Sequence, residues 1–160
     1  MGLITFTNRG IYCKQGDFYV DPWLPVDYAV TTHGHADHVR WGNKYYLCHH
    51  LTKAIIKCRI SEDLVVESMA YGEKVVRNGV QISFHPAGHV IGSAQVRLEY
   101  KGEICVISGD YKVEFDSIST AFEPIKCHTF VSESTFGLPV YNWLPQDVLF
   151  DDIKHWAAQN

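Results

Sequence analysis

The sequence predicts an α+β fold with most of the chain in antiparallel or mixed sheets, layered as α/β/β/α. Three observations carry this: many short β-type runs, two tight-turn hairpins, and few helical stretches. The early runs Ile4–Thr7, Ile11–Cys13, Phe18–Val20 and Tyr28–Thr32 are separated by Gly10, Gly16 and the Asp21-Pro22 step, which suit turns. Tyr45–Cys48 is a further apolar strand. Leu51–Ile60 then places apolar residues at Leu51, Ala54, Ile55 and Cys58, the spacing of an amphipathic helix. Asn78-Gly79 joins Val75–Arg77 to Val80–Phe84, and Asn-Gly supplies the positive φ angles of a type I′ turn. Lys101-Gly102 repeats the device between Ala94–Tyr100 and Glu103–Ser108. Thr129–Ser132 is a last strand, and Gln146–Ala158 a helix opened by Pro145.

Composition bounds the function. The 160 residues, 46% hydrophobic and 20% charged, suit one globular domain with a real core. No apolar run approaches the ~18 residues of a membrane span, and the first residues lack the pattern of a signal peptide. Gly2 is a poor myristoylation signal, because Phe6 stands where Ser or Thr is wanted. Cys13, Cys48, Cys58, Cys105 and Cys127 are scattered and form no CxxC pair, a usage that suits buried thiols in a reducing cytoplasm. The net charge of −4 argues against a broad basic surface for nucleic acid. Metal ions and a local cluster would have to supply positive charge, with Arg40, Lys44, Lys53, Lys57 and Arg59 as candidates; a solvated helix face explains them equally well.

The chemistry is concentrated in four motifs, each following a strand. Thr31-Thr32-His33-Gly34-His35-Ala36-Asp37-His38 packs three imidazoles and a carboxylate into six residues, groups seldom buried unless paired or metal-bound. Alternation puts His33 and His35 on one side of the chain, able to grip one ion, while Asp37 and His38 turn onto an adjacent position. Zinc accepts this donor mixture. Phe84-His85-Pro86-Ala87-Gly88-His89-Val90-Ile91-Gly92-Ser93 offers His89 as a third ligand, with Gly88 and Gly92 permitting close backbone approach. His85 is a supporting or structural residue. Ile107-Ser108-Gly109-Asp110-Tyr111 ends a strand on a carboxylate that can bridge two cations. Val131-Ser132-Glu133-Ser134-Thr135-Phe136-Gly137 places an acid past another strand, where a turn or cap is the plain alternative. His49, His50, His128 and His155 are left structural.

The succession HGHADH, AGHVIGS, SGDY and ESTFG resembles the metallo-β-lactamase superfamily, and the ESTFG element resembles its β-CASP nuclease branch. Leu3–Arg9, Asp21-Pro22-Trp23, His38-Val39-Arg40-Trp41-Gly42 and Phe136-Gly137-Leu138-Pro139 look most like bacterial ligase-associated DNA exonucleases. The resemblance implies a layered α/β/β/α metallo-β-lactamase fold and two zinc ions. His33, His35 and His89 would hold one ion, Asp37 and His38 the other, and Asp110 would bridge them. Asp37, Asp110 and Glu133 would serve catalysis, Glu133 by orienting a catalytic histidine. Residues 1–144 would be the amino-terminal part of the metallo-β-lactamase domain, and 145–160 the start of an inserted β-CASP domain. On this expectation the chain is a fragment, inactive alone.

The expected activity is phosphodiester hydrolysis in DNA repair, leaving a 5′-phosphate and a 3′-hydroxyl. Single-stranded DNA is the favoured partner, with an ATP-dependent DNA ligase implied by the resemblance and no membrane. Trp41 and Tyr111 could stack on bases, although core packing suits them better. The alternatives are a β-CASP ribonuclease in RNA processing, which shares every motif, and a small-molecule hydrolase, which has no use for Glu133 and the Ser-Thr-Phe-Gly that follows. A scaffold that had lost its chemistry would lack ligands, and none is missing through residue 138.

Overall fold

A computed structural model describes residues 2–160 as a mixed α+β chain, mostly sheet, with two helices. The first sheet has six strands in chain order: β1 (Thr5–Thr7), β2 (Gly10–Cys13), β3 (Phe18–Val20), β4 (Tyr28–Val30), β5 (Tyr45–His49) and β6 (Val66–Met69). It begins as an antiparallel meander and becomes parallel from β3 onward. The parallel step from β5 to β6 needs a crossover, which α1 (His50–Arg59) supplies. The second sheet runs β11-β10-β9-β8-β7, comprising β7 (Lys74–Arg77), β8 (Val80–Pro86), β9 (Ala94–Tyr100), β10 (Glu103–Ile107) and β11 (Thr129–Val131). Its first four strands are linked antiparallel, and β11 joins β10 in parallel.

Both expected hairpin turns form. Asn78 and Lys101 adopt φ of 49°, each followed by a glycine at positive φ, the requirement of a type I′ turn. The period of two then sorts the side chains. Val80, Ile82 and Phe84 of β8, Ala94, Val96 and Leu98 of β9, and Cys105 and Ile107 of β10 enter one core with Cys13, Phe18, Val20, Val30 and Leu47 of the first sheet. The sheets thus share an apolar interior. A second cluster (Ala29, Tyr46, Cys48, Val66 and Ile56) seats α1 on the other side of the first sheet.

Three sequence expectations change. β6 was not anticipated: Glu67 and Ser68 interrupt its apolar pattern, and pairing with β5 makes the strand. On α1 the buried residues are Thr52 and Ile56, not the stripe of Leu51, Ala54, Ile55 and Cys58. Thr52 is drawn inward because its hydroxyl donates to the Gly92 carbonyl at 2.8 Å. Trp41, expected to pack, is 77% exposed. The helix α2 (Gln146–Gln159) forms as expected but has no buried residue. No helix among the described residues is long and apolar enough to cross a membrane.

Candidate metal centre

All four motifs emerge at strand ends: His33 to His38 after β4, His89 after β8, Asp110 after β10, and Glu133 after β11. A hydrogen bond from Ala94 N to Thr32 O, 2.8 Å, ties the two sheets together at this rim. At Gly88 and Gly92 the backbone closely approaches neighbouring chain. A Cβ on Gly88 would lie 2.1 Å from the Lys112 carbonyl oxygen, and one on Gly92 2.9 Å from Leu51 Cβ. These contacts wedge the His89 loop between α1 and the segment after β10. The Ser93 hydroxyl accepts the backbone N–H groups of His89 and Val90, each at 3.1 Å, and fixes the loop from within.

His33, His35, His89 and Asp110 converge, each offering one donor atom, all within 4.8 Å of one another. His33 Nε2 lies 3.0 Å from His35 Nδ1, and His89 Nε2 lies 3.3 Å from the same atom. Asp110 Oδ2 completes the group at 3.8 Å from His33 and 3.6 Å from His89. Tetrahedral zinc bonded at about 2.0–2.1 Å holds its ligand atoms roughly 3.3 Å apart, so the donors fit such an ion. The other oxygen of Asp110, Oδ1, is 3.2 Å from His38 Nε2, and Asp37 Oδ2 is 3.6 Å from that nitrogen. One carboxylate therefore faces two clusters.

Asp21 belongs to this site and was missed by sequence reasoning, which took Asp21-Pro22 as turn punctuation. Its backbone has φ of 43°, and its carboxylate accepts from Thr32 N at 2.9 Å, Thr32 Oγ1 at 2.6 Å and His38 Nδ1 at 2.7 Å. The Thr32 hydroxyl gives its proton to Asp21 and so presents a lone pair to His33 Nδ1, 3.1 Å away. Both imidazoles thus carry Nδ1–H outward and turn Nε2 inward, one toward each cluster.

The electrostatics follow. His33 is fully buried, and burial, together with the charges of His38, His35 and His89, pushes it down to about 2. His89 is also lowered, chiefly by burial, against the pull of Asp110. For His38 burial acts downward, but Asp21, Asp110 and Asp37 outweigh it and raise it to about 9. Burial alone would raise Glu133; hydrogen bonds from Thr135 and Tyr111 and the field of His89 hold it lower. Its Oε2 accepts Thr135 N at 3.0 Å.

The His38 shift makes a prediction. A group whose pKa is higher folded than unfolded stabilises fully below its unfolded value of 6.5, and that contribution is lost as pH rises through about 9. Metal-free protein should therefore lose stability over this window, and Asp21→Asn should remove most of the slope. Denaturant melts at about pH 6 and about pH 9 measure it; parallel curves for the two proteins would disprove the role given to Asp21.

Three of the other histidines are engaged away from this cluster. His85 bridges Ser83 Oγ at 3.1 Å and Glu123 Oε1 at 3.0 Å. His49 caps α1 and stacks on Tyr71, and His128 accepts the Ile104 N–H at 3.0 Å. Nor do the candidate basic residues gather at the centre. Lys44 pairs with Asp27 at 2.7 Å and Lys57 binds the Glu62 carbonyl, while Arg59 alone reaches the motif, donating to the Gly34 carbonyl.

No family model matches the chain. It is 27% identical over 155 residues to a protein named probable DNA ligase from Opitutus terrae, covering 95% of this chain and 15% of that protein. Over 78 residues it is 32% identical to cleavage and polyadenylation specificity factor subunit 3 of Dictyostelium discoideum, covering 48% and 10%. Over 83 residues it is 35% identical to endoribonuclease YSH1 of Saccharomyces cerevisiae, covering 48% and 11%. The chain thus spans 15% or less of these three relatives. A solved structure from Enterococcus faecalis V583 overlaps it at a TM-score of 0.43 and 12% identity, over 54% of this chain and 25% of that one.

Proposed function

We propose that this chain belongs to the β-CASP branch of the metallo-β-lactamase superfamily and that its centre hydrolyses phosphodiester bonds in single-stranded DNA, as an exonuclease. The observation that carries the reading is Asp110, whose Oδ2 faces the imidazoles of His33 and His89 and whose Oδ1 faces that of His38. His33, His35, His89 and Asp110 would hold one zinc ion, and Asp37, His38 and Asp110 a second. When bound there, two such ions would supply hydroxide at neutral pH and offset charge building on the attacked phosphate. The chain's own residues do the rest. Asp21 and Thr32 fix the ring orientation of His33 and His38, so the donors are set before any substrate arrives. Glu133 stays anionic beside His89 and is assigned as a positioning residue for a catalytic histidine. We also assign 145–160 to the β-CASP insertion, a reading supported by a helix that buries nothing against the sheets.

The similarity to a stretch of a probable DNA ligase, which runs over nearly the whole chain, favours DNA and a setting in DNA repair. A second reading, cleavage of RNA, is favoured by the relatives named as an endoribonuclease and a polyadenylation factor subunit. Matched single-stranded DNA and RNA oligonucleotides, labelled at either end and offered to an enzyme in which this chain is joined to a complete β-CASP domain, separate the two. Progressive shortening of the DNA at a higher kcat/KM is expected. Preferred RNA, or internal cuts without shortening, would replace the first reading by the second.

A further inference from the structure

A cavity of about 670 Å³ opens beside the metal centre, and His35 and His89 form part of its wall. Ile55 and Arg59 of α1, Val90 and Ile91 beyond His89, and Ile118 of the segment after β10 also line it. These side chains make a predominantly aliphatic surface directly against a cluster of imidazoles. The one carboxylate that lines it, Asp116, is already engaged by Lys112 and by Ser119 Oγ at 2.7 Å, so its charge is balanced locally. Arg59 is held at the rim by one N–H to the Gly34 carbonyl. A guanidinium has five donors, so it can still bind a phosphate.

The turn of α1 that differed from the sequence expectation has a use here. With Ile56 inward against the first sheet, Ile55 is left facing the cavity instead of the core. A volume of this size is in the range of small-molecule sites, and its greasy lining with one cation at the edge matches a flat, weakly polar base carried on an anionic backbone. Entry requires a base outside its stack, which a single-stranded end provides at least cost.

We propose that this cavity is a nucleoside subsite, seating the base and sugar attached to the phosphate at the metal centre, with Arg59 on the next phosphate. The inference rests on the nuclease reading above and adds to it where the substrate lies and what holds it. Aliphatic contact without base-edge partners makes the subsite indifferent to sequence.

Ile118 is 68% exposed and holds no metal, so Ile118→Trp can fill the cavity without disturbing the core or the centre. On zinc-loaded enzyme in which this chain is joined to a complete β-CASP domain, the variant should raise KM for single-stranded DNA about tenfold with kcat nearly unchanged, the signature of lost ground-state binding. An oligonucleotide that is abasic beside the cleaved bond should already bind weakly to the wild type and show little further loss in the variant. Arg59→Ala should raise KM on both oligonucleotides. An unchanged KM in Ile118→Trp at equal zinc content, or an equal penalty on the abasic substrate, would overturn the subsite while leaving the nuclease reading intact. Wild-type protein that carries a complete β-CASP domain and yet cleaves neither oligonucleotide would overturn both.

Discussion

Zinc added to chelator-treated protein should raise its melting temperature by about 10 °C. A ligand present at a thousandfold excess over its Kd stabilises the folded state by about 4 kcal/mol. For a domain of this size each kcal/mol is worth roughly 2–4 °C. Titration should show two unequal sites, the tighter one built on His33, His35 and His89, which contribute three imidazoles to one point. His89 is partly exposed, with a side chain 28% accessible, so His89→Gln should fold and yet lose most of the shift. Binding should also release a proton from His38, which is protonated at neutral pH in the metal-free chain. Calorimetry in buffers of different ionisation enthalpy counts it. Protein that remains zinc-free after reconstitution, with an unmoved melting curve, would remove the basis of the metal assignment.

The largest kinetic effect is expected at Asp110. Asp110→Asn keeps the shape of the side chain but removes the charge presented on both sides, and in enzyme with a complete β-CASP domain turnover of single-stranded DNA should fall by about 10³-fold or more. Zinc content should fall with it, more at the second position, which retains only Asp37 and His38, than at the first, which retains three histidines. Asp37 is 73% exposed and more loosely placed, so Asp37→Asn should cost less. Turnover unchanged in Asp110→Asn at full zinc occupancy would show that the carboxylate is a bystander.

Much of this was legible in the sequence because the informative features are local. Asn78-Gly79 and Lys101-Gly102 specify turns, alternation specifies which residues of β8 and β9 enter the core, and the spacing of His33, His35 and His38 brings them together within one loop. What was not legible depends on contacts between distant segments. β6 exists because β5 offers a hydrogen-bonding edge, although Glu67 and Ser68 spoil its pattern. The face that α1 buries is chosen by the Gly92 carbonyl, forty residues away. Asp21 carries a turn signature in its neighbour Pro22, and nothing local says that its carboxylate meets Thr32 and His38. Trp41 has the composition of a core residue and the position of a surface one.

Because Asp110 turns one oxygen toward the three histidines and the other toward His38, two ions held as proposed would not bind independently. An ion at the first position would fix the carboxylate's rotamer and spare the second that ordering cost, but would also draw electron density away from the oxygen left for its neighbour. The sum of these opposed effects is a single coupling free energy, and linkage requires it to be the same in both directions. Whatever factor the first ion applies to the affinity of the second, the second applies to the first. On the proposed assignment a substitution at this carboxylate would change cooperativity as well as affinity, whereas one at His35 or Asp37 would act on one position and reach the other only through Asp110.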